Sequence, residues 1–117
     1  MARPETRLQR EIRKYLALHG FRSVAVPNGA VLSGNGKQRA IQMNSLKRDG
    51  LCVGFPDLLV YGEGRKIGHI EVKTEGGEQS DTQVECERWL KAMGHDYAVC
   101  RSLEDVRDTL GEWGWVQ

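Results

Sequence analysis

Two short apolar runs facing each other across a glycine turn constrain this chain more than any other feature. Phe55, Pro56, Asp57, Leu58, Leu59, Val60 and Tyr61 read as a strand opened by proline, where a missing N–H is tolerated. Gly62 to Lys66 turns the chain, and Ile67 to Thr74 returns as a second strand. A turn symmetric about Gly64 sets Asp57 opposite Glu71. Side chains alternate along a strand, so Lys73 shares the face of Glu71, while Leu58, Val60, Ile70 and Val72 form an apolar face. That apolar face specifies the register, because a slip of one residue would bury the charges.

Two carboxylates opposed across a strand pair repel unless a positive charge sits between them. A divalent cation that prefers oxygen ligands, Mg²⁺ or Mn²⁺, is the natural occupant. With Lys73 beside it, such a set is chemically sufficient for phosphodiester hydrolysis. His69 lies on the same face, but a single histidine without a matching His/Cys set reads as packed or exposed rather than as a ligand.

The remaining chain supplies helices and strands around this hairpin. Leu8, Ile12, Tyr15, Leu16 and His19 make one helical stripe from Pro4 to His19, with Pro4 in the first turn and Gly20 as the C-terminal stop. Phe21 to Val26 alternates as a strand and ends at Pro27, Asn28 and Gly29. Asn28 to Gly50 has four glycines and no sustained period, and reads as a long basic loop holding at most a short helix around Ala40 to Lys47. It is not a P-loop, since Gln38 follows Gly36-Lys37 and Val31 replaces the first required glycine.

Downstream, Ser80 and Gln83 have capping-box spacing ahead of the stripe Cys86, Trp89, Leu90 and Met93. A strand from Tyr97 to Cys100 and a last helix capped by Ser102, with Leu103, Val106 and Leu110 inward, complete the order αβββαβ plus a terminal helix. Trp113 and Trp115 are expected to pack on the core.

A chain of 117 residues fits a single domain, 1–117, and no apolar run is long enough to span a bilayer, so a soluble, cytoplasmic protein with no membrane contact is expected. Cys52, Cys86 and Cys100 are an odd set without a C-x-x-C pair and read as small hydrophobes. The net charge of +1 hides an asymmetry: residues 1–50 hold ten Lys/Arg against three Asp/Glu, and residues 51–117 hold seven against thirteen. The basic half suits phosphate contacts, and the acidic half suits a metal. Solvation of the first helix would account for the basic half equally well.

The pattern Gly54-Phe55-Pro56-Asp57-Leu58-Leu59-Val60, then Ile70-Glu71-Val72-Lys73, then the Ser80/Gln83 helix, resembles the PD-(D/E)XK nuclease superfamily. Within it, the match is to the virus-type replication-repair nuclease (VRR-NUC) domain, over nearly the whole chain. The resemblance implies an α/β, restriction-endonuclease-like core with a mixed central sheet flanked by helices and an extra C-terminal helix. It implies that Asp57, Glu71 and the Val72 carbonyl hold the metal, with Glu11 of the first helix helping, that Lys73 is the catalytic lysine, and that Gln83 lies near the active site. Glu11 could also serve as a helix-surface ion pair, and Gln83 as a capping residue. Asn28, Lys37, Arg39 and Lys47 fall in the loop where such proteins approach DNA. The implied activity is a DNA endonuclease acting on branched DNA such as four-way junctions, as a homodimer in viral or phage replication, recombination or repair. The alternatives are a catalytically silent nucleic-acid-binding module and a sequence-specific restriction-type endonuclease.

Overall fold

A computed structural model describes residues 2–27 and 33–117. Helix α1 spans Pro4–Leu18 and is followed by strand β1, Arg22–Ala25. Helix α2, Gly36–Arg48, precedes the hairpin of β2, Leu58–Gly62, and β3, Lys66–Val72. Helix α3, Asp81–Ala92, strand β4, Asp96–Cys100, and helix α4, Leu103–Glu112, complete the described order. The strands form one mixed sheet in the order β1-β2-β3-β4, antiparallel except for β4, which runs parallel to β3. The parallel pair requires a crossover, and α3 provides it.

The hairpin pairs as a turn symmetric about Gly64 predicts: Leu58 faces Ile70 and Gly62 faces Lys66. Gly64 and Arg65 both have positive φ, 73° and 69°, which lets three residues reverse the chain. Leu58, Val60, Ile70 and Val72 are buried against Ile12 and Leu16 of α1 and Val106 and Leu110 of α4. Gly68 of β3 lies under the Trp113 ring, where a Cβ would come within 2.4 Å of the indole.

The opposite face of the sheet is covered in part. Cys86 and Leu90 of α3 bury Tyr97 there, with Cys52, Phe55 and Val99 packed around them. Val24, Tyr61 and Ile67, further toward β1 and the hairpin turn, stay exposed on that face. Glu71 therefore lies under α3, not on a solvated face: the residue is only 1% exposed. Reading the Glu71 face as open leaves out the helix that the β3–β4 crossover lays across it.

The stretch read as a long loop contains a helix of 13 residues, α2, three turns long rather than one or two. Its start is set by Asn35, whose side chain accepts the Gln38 N–H at 2.9 Å while Gln38 returns the bond to the Asn35 N–H. No residue of α2 is fully buried, and only Gln42, Met43 and Leu46 are half-buried. The apolar stripe is weak for that reason, and periodicity could not reveal the helix.

Candidate active site

Asp57 stands at the entrance of β2, tied from both sides. Its backbone carbonyl accepts the Val26 N–H at 2.8 Å, and its carboxylate Oδ2 accepts the Val72 N–H at 2.8 Å. The residue behind this placement is Gly54, whose φ is +87°. A Cβ there would fall 2.5 Å from the Thr82 carbonyl, so only glycine lets the turn before Asp57 rest on the first turn of α3.

Glu71 is the centre of the cluster. Its Oε2 accepts the Gln83 amide Nε2–H at 3.1 Å and lies 3.6 Å from the Lys73 ammonium. Its Oε1 is buried with no hydrogen-bond partner. Burial and the neighbouring Asp57 carboxylate push the Glu71 carboxyl up to about 8, against the smaller opposing pull of Lys73. A buried oxygen without a donor is costly in a folded protein. Asp57 brings a second carboxylate to Glu71, and a carboxylate pair of this kind fits a hard cation.

Gln83 serves two partners at once. Its Oε1 accepts the Ser80 N–H at 2.8 Å, closing the capping box of α3, and its Nε2 holds Glu71. The capping and active-site readings of this residue thus coexist in one side chain. Behind it, Gln79 donates to the hydroxyl of buried Tyr97 at 3.0 Å and to Glu87 at 3.0 Å. Burial, then the Glu71 charge, raise the Tyr97 phenol, keeping it neutral. Neither Gln79 nor Tyr97 stands out in the sequence, because their link to Glu71 runs through tertiary packing.

Other candidates fall elsewhere. Glu11 is exposed and lines a shallow depression with Lys14, Tyr15, Leu18 and Leu103, where α1 meets the start of α4. Among the described residues no three His, Cys, Asp or Glu side chains gather into a metal cluster. Lys37, Arg39 and Lys47 are exposed on α2, on a helix rather than a loop. Asn28 lies outside the described residues.

His69 is packed, in keeping with its reading as a lone histidine: 5% exposed, it donates from Nδ1 to the Asp96 carbonyl at 2.9 Å and meets the Phe55 ring edge-on at 5.7 Å. Burial lowers its basicity. The cysteines are not all isolated, since the sulfurs of Cys52 and Cys86 lie 3.9 Å apart.

No helix among the described residues is long and apolar enough to cross a membrane. No curated protein sequence matches the chain. Solved structures share its fold. One, a VRR-NUC domain, aligns with a TM-score of 0.65 at 23% identity over 95% of this chain and 97% of its own. Another, a VRR-NUC domain protein, aligns with a TM-score of 0.64 at 17% identity over 97% of this chain and 89% of its own. The sequence model of the VRR-NUC domain matches residues 3–104, across the carboxylate hairpin and the capped helix behind it, and the chain belongs to this nuclease family.

Proposed function

We propose that this protein is a divalent-metal-dependent DNA endonuclease, selective for branched DNA such as four-way junctions and working in viral or phage DNA replication, recombination or repair. The observation that carries this reading is the unpartnered Oε1 of buried Glu71 beside Asp57, with the Lys73 ammonium at the same carboxylate. Asp57, Glu71 and the backbone carbonyl of Val72 would hold Mg²⁺ or Mn²⁺. When bound, the cation polarises a phosphate oxygen and lowers the pKa of water.

The protein's own groups do the rest. Lys73, with its side chain 14% exposed, is anchored by Glu71 and can orient a water or neutralise charge growing on the phosphate. Gln83 holds one oxygen of Glu71, which leaves the other for the cation. The Val72 N–H fixes the Asp57 carboxylate in place before any ligand arrives. Preorganisation of this kind is what a metal site requires of its surroundings.

Substrate binding is assigned to the basic half. Lys37, Arg39 and Lys47 project into solvent from a helix with no fully buried residue, a form suited to following a phosphate backbone, and Asn28 is proposed beside them. A second copy of the chain is the proposed partner. The uncovered sheet face, with Val24 51% and Ile67 46% exposed, offers apolar area for it, and paired sites would make paired cuts. The proposed location is the cytoplasm, the host's if the protein is viral.

The test is cleavage of linear, flapped and four-way DNA by purified protein with Mg²⁺ or Mn²⁺, comparing the parent with Asp57→Ala, Glu71→Ala and Lys73→Ala, each checked for folding by circular dichroism. Metal-dependent cutting of branched DNA that all three substitutions abolish is the expected result. Undiminished cutting by the folded mutants would falsify the site, and equal cutting of all substrates would remove the branched-DNA preference. A monomeric mass by light scattering with undiminished junction cutting would remove the dimer.

A further inference from the structure

The sulfurs of Cys52 and Cys86 are 3.9 Å apart although the residues are 34 positions apart in the chain. Cys86 is buried on α3, one turn beyond Gln83. Cys52 is half-buried in the segment that leads through Gly54 to Asp57. The third thiol, Cys100, is buried in the other core cluster, against the Thr109 hydroxyl at 3.6 Å. Nothing in the proposed hydrolysis uses a thiol.

We propose that Cys52 and Cys86 are a redox modification site, forming a reversible disulfide that staples the Asp57 turn to α3. The inference goes beyond the nuclease reading and does not depend on it, because it rests on the placement of two sulfurs. A disulfide needs the sulfurs at about 2.05 Å, so from 3.9 Å they have a short way to close. The backbones are already in contact: the Gly54 Cα lies against the Thr82–Gln83 peptide with no room for a Cβ. The staple therefore joins segments that touch, and the loop it closes contains Asp57, Glu71, Lys73 and Gln83.

Hydrogen peroxide is the simplest oxidant. The more exposed Cys52 sulfur takes one peroxide oxygen as the O–O bond breaks, and the other oxygen leaves as water, giving a sulfenic acid. The Cys86 sulfur attacks that sulfur, the S–O bond breaks, and the hydroxyl departs with the Cys86 proton as a second water. Two thiols lose two electrons and two protons, and one peroxide becomes two waters. A dithiol reductant reverses the bond. In a reducing compartment such a disulfide is transient.

The experiment treats reduced full-length protein with hydrogen peroxide under native conditions, alkylates the remaining thiols and maps peptides without reduction. The expected product is a Cys52–Cys86 peptide pair lighter by two hydrogens than its parts, with Cys100 still free. Closing the loop restricts the unfolded chain, so the melting temperature should rise by about 5–10 °C and fall back with dithiothreitol. Cys52→Ser should show neither change. Persistence of an alkylatable Cys86 while Cys52 advances to sulfinic acid, a link to Cys100, or a link only between chains would overturn the proposal. The mapping is done on the parent protein and stands whether or not the variant folds.

Discussion

The Gln83 side chain divides its two polar atoms between Ser80 and Glu71, its oxygen accepting the Ser80 N–H at 2.8 Å and its nitrogen donating to the Glu71 carboxylate at 3.1 Å. The start of α3 and the orientation of the buried carboxylate are thus set by one amide.

That division separates two effects. Gln83→Ala should lose about 1 kcal/mol of stability with the capping box, and about 10- to 100-fold in cleavage rate with the grip on Glu71. Ser80→Ala should lose a similar stability, because its hydroxyl caps the Gln83 N–H, and much less activity. Urea unfolding and single-turnover cleavage measure the two; equal activity losses in both variants would show that Gln83 acts only as a cap.

Glu71 makes metal-free stability depend on pH in a particular direction. Its carboxyl titrates near 4.5 in the usual case and near 8 in the folded protein. Between those values the folded state holds a proton that the unfolded chain has released. The contribution of Glu71 to stability is therefore fully present below about 4.5, falls as pH rises, and is lost above about 8. Glu71→Gln should flatten the fall and exceed the parent's stability at pH 8. Chemical denaturation in chelator across this range is the check, and a parent whose stability relative to Glu71→Gln climbs from pH 5 to pH 8 would contradict it.

Metal binding should displace that proton. At pH 7, Mn²⁺ or Mg²⁺ binding is expected to release close to one proton per site, so calorimetric enthalpies should vary with the ionisation enthalpy of the buffer. At pH 9 the dependence should vanish, because Glu71 is already ionised above about 8. Buffer-independent enthalpies at pH 7 would show that the metal leaves Glu71 unchanged.

Two glycines test whether the tight approach near Asp57 matters to activity as well as to stability. Gly54→Ala sets a Cβ 2.5 Å from the Thr82 carbonyl at φ +87° and should cost about 2 kcal/mol or more, with a fall in cleavage rate as the Asp57 turn lifts from α3. Gly68→Ala presses a Cβ within 2.4 Å of Trp113, away from the carboxylates, and should cost about 1–3 kcal/mol while activity per folded molecule persists. Thermal melts paired with specific activity distinguish them.

What could be read from sequence was local. The hairpin register follows from alternation around a short glycine turn, and β2 and β3 pair accordingly. The caps at Ser80 and Ser102 act over three residues, and both start helices as their spacing indicates. Helix α2 is not legible in the same way because a helix with no fully buried residue carries only a weak apolar stripe, and its own capping box at Asn35 and Gln38 is a single weak signal. Glu11 was placed with the carboxylates by family resemblance alone, and the helix that carries it turns it toward α4.

The sequence by itself determined that Asp57, Glu71 and Lys73 share one face of a hairpin, because the strand repeat of two residues leaves no other choice once the apolar face is buried. Only the tertiary structure decided that this face is closed at Glu71. The crossover from β3 to its parallel partner β4 lays α3 over the carboxylate, strips it of water, raises its pKa, and brings Gln83 and the Cys52–Cys86 pair to its side. Those contacts join residues distant in the chain, and their energies depend on burial that the packed fold creates.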